Sequence, residues 1–269
     1  MTLRRVLVLA PTRRAASETF VRANLAGLPF EVQAYFGDEV PWNQPPRLAY
    51  GLSVLVSKIC TRLGLLRLAG WPAAMVARRL IAHHQPDLVL AEFGFHAVRV
   101  MEAAPSMAVP LVVHFRGSDL SAQSNLGVLR GRYRRLMGLA AGLICKSRPM
   151  AQTLEALGAS ADRILISASG ANAQLFYGSV PAEAAPICLA VGRFVAKKGP
   201  LHTIRAFSAQ PYGQLWMVGE GPLLAEAKEL VKQLKLGHRL GFADQTGRQT
   251  HQAAIAAPQH TQFALRREV

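Results

Sequence analysis

Acidic residues are scarce. Sixteen Asp and Glu stand against 31 Lys and Arg, leaving a net charge of +15 in 269 residues. A balance this basic favours anionic partners: nucleic acid, anionic lipid or a phosphorylated substrate. The excess is spread through short clusters such as Arg4-Arg5, Arg13-Arg14, Arg78-Arg79 and Arg130 to Arg135. With no basic tail, no aromatic RNA-binding signature and no zinc-finger spacing, nucleic acid is set aside as a partner. The three cysteines, Cys60, Cys145 and Cys188, lack both CxxC spacing and an even count. That argues against a disulfide framework or a zinc site and fits a reducing cytoplasm. No apolar run reaches the roughly 18–20 residues of a membrane span. The start, Met1 to Pro11, lacks a small-residue cleavage site and reads as a first strand. Internal repeats and low-complexity stretches are missing as well. Where a dinucleotide enzyme would carry GxGxxG, the first strand is followed by Ala10-Pro11-Thr12-Arg13, which counts against that class.

Apolar material is plentiful, at 51% of the chain, so a packed core is expected. Short apolar runs alternate with helical patterns, the signature of βαβ units and parallel sheets. The spacing predicts strands over Arg5–Ala10, Glu31–Tyr35, Leu88–Ala91, Leu111–Phe115, Gly142–Cys145 and Ile164–Ser167. Helices are predicted over Ser17–Leu25, Trp71–His83 and Pro149–Leu157. This set makes one doubly wound domain, residues 1–178. A Pro- and Ala-rich linker, 178–186, precedes a second alternation over 187–242. There Ile187–Val191, Leu215–Val218 and Arg239–Phe242 read as strands, and Pro200–Ser208 and Leu223–Leu234 as helices. Residues 243–269 lose any period and read as an irregular tail. The fold class is α/β: one complete Rossmann-like domain and an incomplete second one.

The strongest chemical signal is the run from Val191 to Gly199, VGRFVAKKG, between a strand and a helix. Backbone N–H groups and the helix dipole favour an anion at such a point. Gly192 permits close backbone approach, and Arg193 and Lys198 add a planar fork and a point charge suited to a diphosphate. A plain surface turn with chance cations is the alternative. A second loop, Gly219-Glu220-Gly221, also follows a strand and opens a helix, one βαβ step away. In the first domain His114, Arg116 and Asp119 follow a strand and are placed to meet a substrate. A turn in which Asp119 caps the next helix is the alternative. Ser17 and Glu18 after the first strand, and Glu92 with Gly94 after the third, have the same standing. His83 and His84 read as a helix end rather than a metal site.

The order SETFVRANL, PDLVLAEFG, VVHFRGSDL, ICKSRPMAQTLEALGA, RILISASGANAQLF, VGRFVAKKG and VGEGPL resembles bacterial retaining family 4 glycosyltransferases of the GT-B fold, from about residue 5 to about residue 242. The resemblance implies two Rossmann-like domains facing across a cleft, the first holding the acceptor and the second a nucleotide-sugar. It implies hexosyl transfer with retention of configuration, in cell-envelope polysaccharide synthesis, onto a saccharide or lipid-linked acceptor. No metal or cofactor is expected, since the nucleotide-sugar is a substrate. The location implied is the cytoplasm, peripherally on the inner face of the cytoplasmic membrane.

Carried over by position, Arg193 and Lys198 match the pair that neutralises the donor diphosphate. Gly192, Gly219, Glu220, Gly221 and Gly170 fall in donor-binding segments, and Asp119 matches an acidic catalytic position. Ser17, Glu18, Glu92, His114 and Arg116 fall on the acceptor side. Two departures stand out. The family's usual histidine falls on Arg116, which cannot act as a base; the leaving phosphate then accepts the acceptor's proton. The family's Glu-x7-Glu segment has no match after Phe242, so the donor domain reads as truncated. A non-catalytic remnant that binds an acceptor or an anionic membrane is the alternative function.

Overall fold

A computed structural model describes residues 5–13, 19–65, 68–121, 123–170 and 185–243. The chain divides into two compact units, 1–171 and 172–269.

The first unit is built on six parallel strands: β1 (Arg5–Ala10), β2 (Glu31–Phe36), β3 (Leu88–Glu92), β4 (Leu111–His114), β5 (Gly142–Cys145) and β6 (Ile164–Ile166). Their order is β2-β1-β3-β4-β5-β6. Val6 to Ala10 of β1 are all buried, as expected of an inner parallel strand covered on both faces. The strand order reverses between β1 and β3, which is where open α/β sheets form their ligand crevice. The connecting helices are α1 (Thr19–Gly27), α2 (Pro45–Arg62), α3 (Trp71–His84), α4 (Gly94–Val100), α5 (Gly117–Ser121), α6 (Gln123–Leu139) and α7 (Arg148–Ala156). Proline stands at the first or second position of α2, α3 and α7, where its missing N–H has no helical partner to lose. One continuous core joins Leu7 and Leu9 to Ala77, Val113, Phe115, Tyr133, Leu136 and Leu143. The expected strands all form, with ends shifted by one residue at most. The sequence reading placed no element on α2, α4 or α6.

The second unit has three parallel strands among the described residues, in the order β7-β8-β9. These are β7 (Ile187–Val191), β8 (Gln214–Val218) and β9 (Leu240–Ala243), with helices α8 (Pro200–Ser208) and α9 (Leu224–Gln233) between them. Its core gathers Phe194, Ile204, Phe207, Leu215, Met217, Ala227 and Val231. β8 is buried over Leu215–Val218, whereas Leu189 and Val191 of β7 are exposed. The predicted irregular tail beyond residue 243, and the linker up to residue 184, lie outside the described residues.

Candidate functional site

In the second unit, β7 ends at Val191 and the chain turns through Gly192 and Arg193. Phe194 then dives into the core, 2% exposed and against Phe242. Anchoring that ring leaves its neighbour Arg193 in solvent. A 3₁₀ turn over Ala196–Lys198 follows, and Gly199, at φ +62°, reverses the backbone hand before α8 begins at Pro200. Arg193 and Lys198 thus line one hollow of about 120 Å³ at the carboxyl end of β7, together with Gly192 and Thr203. Among the described residues no carboxylate pairs with either cation. Two unpaired cations beside a helix start can receive an anion.

Gly219 and Gly221 let two loops pack in close contact. Their φ values are +144° and +150°. A Cβ on Gly219 would meet the Gly192 carbonyl oxygen at 2.0 Å, and one on Gly221 the Phe194 carbonyl oxygen at 2.5 Å. The two loops lie backbone to backbone. Gly192 N–H donates to Val218 O at 2.9 Å, Phe194 N–H to Glu220 O at 2.8 Å, and Leu223 N–H to Phe194 O at 3.0 Å. The glycines therefore brace the Arg193 loop, and the Glu220 side chain points to solvent. Gly170 is exposed at the end of the first unit's described residues.

In the first unit, β3, β4 and β5 deliver a charged group at the sheet's carboxyl edge. Glu92 ends β3 and is 1% exposed; Arg116 follows β4 and is 4% exposed. The guanidinium forks onto the carboxylate, with Nε to Oε2 at 3.0 Å and Nη2 to Oε1 at 3.0 Å. It also lies over the Phe20 ring at 4.5 Å. With its amide turned so that the oxygen faces the guanidinium, Asn24 accepts from Arg116 Nη2 at 2.9 Å. Lys146, directly after β5, stands over the same Phe20 ring at 4.8 Å. Burial, then the Arg116 charge, lowers its pKa, and Glu92 opposes this. His114 Nδ1 lies 3.6 Å from Glu92 Oε1, and its buried Nε2 has no hydrogen-bond partner among the described residues. One carboxylate thus faces two cations and an imidazole with a vacant nitrogen. Arg116 is held by Glu92 rather than presented to solvent.

Asp119 is fully buried. Its carboxylate accepts from the Arg116 N–H, three residues back, and at 3.4 Å from the Phe95 N–H. It sits at the third position of α5 and reaches back to the residue before the helix, the reciprocal half of a capping box rather than an N-cap. Burial pushes its pKa up to about 7 against the pull of these N–H groups and of Arg116. What the geometry displays for Asp119 is the positioning of the β4–α5 turn that carries Arg116. Ser17 and Glu18 lie outside the described residues. Lys146 was missed by the sequence reading, although a polar residue directly after an apolar strand was the available signal. Among the described residues no group of three or more His, Cys, Asp or Glu could hold a metal, and no helix is long and apolar enough to cross a membrane. A hollow of about 610 Å³ lies elsewhere in the first unit, with Trp71, Met75, Arg78, Glu102, Arg132 and Arg135 in its walls.

Comparison with known proteins sets these features in a family. Residues 6–170 match the family described as glycosyl transferase 4-like domain. No curated protein matches the sequence significantly. Among solved structures, Anabaena HepE in complex with UDP and glucose superposes with a TM-score of 0.62 at 15% identity, covering 90% of this chain and 69% of that one. The lipopolysaccharide outer core galactosyltransferase WaaB, in its apo form, gives 0.62 at 10% identity, covering 89% and 68%. Sucrose-phosphate synthase from Thermosynechococcus elongatus gives 0.61 at 16%, covering 90% and 70%. At these identities the likeness is one of fold.

Proposed function

Starting from the glycosyl transferase 4-like domain family, to which the chain belongs through residues 6–170, we propose that it transfers a sugar from a uridine diphosphate sugar to a saccharide or lipid-linked acceptor in cell-envelope polysaccharide synthesis. The carrying observation is the hollow at the end of β7, where Arg193 and Lys198 stand beside the start of α8 with no carboxylate paired to either among the described residues. The solved structures of HepE with UDP and glucose support a uridine nucleotide.

In this reading the bond from the anomeric carbon to the diphosphate breaks while a bond to an acceptor oxygen forms. Arg193 and Lys198 offset the charge that grows on the departing diphosphate, the kind of stabilisation that dominates such steps. The acceptor's proton passes to the leaving phosphate on the same face of the sugar, which retains configuration. The edge of the first unit, with the vacant His114 Nε2 and Lys146, takes the acceptor. Arg116, Glu92 and Asp119 position that edge. The work takes place at the cytoplasmic face of a membrane.

Titration calorimetry with uridine diphosphate tests the donor half. Charge-assisted contacts contribute roughly 1.5–3 kcal/mol each, so Arg193→Ala and Lys198→Ala should each weaken binding by about tenfold or more. Both side chains are exposed, so the fold is retained. Binding unchanged in both variants would remove the hollow from the donor site. A radiolabelled transfer assay with the nucleotide-sugar and lipid extracts tests the other half.

A further inference from the structure

Helix α2 carries an apolar stripe on the wrong side. Its inward face, Tyr50, Ser53, Val54 and Ser57, is buried in the first unit. Its outward face holds Leu52, Leu55, Val56 and Ile59, continued by Leu63 at the C-cap, between 44% and 69% exposed. The spacing is i, i+3, i+4, i+7 and i+11, which keeps one side of a helix. Lys58 and Arg62 flank the stripe and are exposed. Past the C-terminal end of the helix the apolar run continues through Leu65, Leu68 and Trp71, the last 66% exposed; Trp42, 84% exposed, precedes its start. Soluble proteins rarely leave so much contiguous apolar surface uncovered without a partner.

The charge of the segment selects the partner. From Pro41 to His84 there are six cations, Arg47, Lys58, Arg62, Arg67, Arg78 and Arg79, and not one Asp or Glu. Arg47 meets Glu39, just before the stretch, at 3.6 Å; a second copy of this chain would bring the remaining cations to the contact with no carboxylate from the segment to meet them. An anionic bilayer offers both complements at once: acyl chains for the leucines and phosphates for the cations. Trp71 also walls the 610 Å³ hollow, where three arginines, Arg78, Arg132 and Arg135, stand against one carboxylate, Glu102, which Arg135 meets at 2.7 Å. The helix is 18 residues long and its other face is committed to the core, so it lies in the interface and does not span it.

We propose that the outward face of α2, with the turn leading to Trp71, docks the first unit on an anionic phospholipid surface. The proposal extends the lipid-linked acceptor reading by naming the surface that meets the membrane. It stands apart from that reading experimentally, because docking needs no sugar donor.

The test is co-sedimentation of the full chain with vesicles of phosphatidylcholine alone or mixed with phosphatidylglycerol, at low and high salt. The chain should sediment with the mixed vesicles, less so at high salt, and hardly with the neutral ones. Replacing three exposed residues together (Leu55→Gln, Ile59→Gln, Leu63→Gln) should weaken binding at least tenfold with an unchanged circular dichroism spectrum. Replacing the flanking cations (Lys58→Gln, Arg62→Gln) should weaken it by roughly fivefold per charge. In the unaltered chain, brominated lipid should quench tryptophan emission, since two of the three tryptophans, Trp42 and Trp71, are exposed in the segments that precede and follow the helix. Three results would overturn the proposal: equal binding to neutral and anionic vesicles, unchanged binding by the stripe variant, or a dimer in solution that the stripe variant converts to monomer. Docking lost with transfer to a soluble acceptor intact would leave the proposed chemistry standing, and the reverse outcome would leave the docking surface standing.

Discussion

Glu92 holds a buried charge in the first unit. It is buried and faces Arg116 in a two-point contact, with Lys146 close by. Taking away one member of such a pair strands the other charge, at a cost of about 3–5 kcal/mol. Glu92→Gln should therefore lower unfolding stability by that amount in a urea titration. The double variant Glu92→Gln/Arg116→Gln should recover part of the loss, which a double-mutant cycle reads directly. A second buried group gives a pH signature. His96 is fully buried, bonded through Nε2 to the Tyr50 hydroxyl at 2.7 Å. Burial, then the charges of Arg99 and Lys58, hold its pKa well below the ordinary 6.5. The folded imidazole is neutral where the unfolded one takes up a proton, so the unfolded state binds more protons as pH falls through about 6.5. The His96 contribution is complete above that pH and shrinks on acidification. Stability measured between about pH 7 and pH 5 should fall less steeply in His96→Gln than in the unaltered chain.

At the scale of elements, the second unit is unevenly packed. Ile204 of α8 is wholly buried, whereas Leu189 of β7 is 46% exposed. Ile204→Ala should cost about 2–5 kcal/mol and Leu189→Ala about 1 kcal/mol or less, measured by thermal unfolding. The same contrast explains which elements could be read from sequence. β1, β3 and β8 are short apolar runs closed by turn residues, and prolines mark where α3, α7 and α8 begin, so their positions were legible. α2 was not, because leucines and valines occupy both its buried and its exposed faces and blur the helical period. α6 hid for the opposite reason: arginines crowd it, and its buried side chains are few, among them Leu129, Tyr133, Leu136 and Met137. The cations of the β7–α8 turn were legible because they follow an apolar strand directly. The Glu92–Arg116 pair was not, since its partners stand 24 residues apart and meet only once β3 and β4 pair in register. The role of Gly219 and Gly221 as spacers between two loops likewise depends on backbone proximity that no local pattern encodes.

Across the whole molecule, the excess of positive charge has two different destinations. Some arginines are spent internally: Arg116 on Glu92, and Arg239 on the carbonyls of Gly213, Gln210 and Tyr212. Others stay in solvent, such as Lys58 and Arg62 on α2 and Arg193 and Lys198 at the end of β7. Composition registers only their sum, which is why net charge alone pointed to anionic partners without locating them. The paired glycine loops carry one last implication. Because Phe194 both gives a hydrogen bond to the neighbouring loop and receives one from it, the turn bearing Arg193 is bolted at two points to the turn that leads into α9. Neither turn can swing alone. A tug on Arg193 from a ligand is felt at the root of α9, so the two turns act as a single mechanical part, and the alignment of the cation is inherited from the helix behind it.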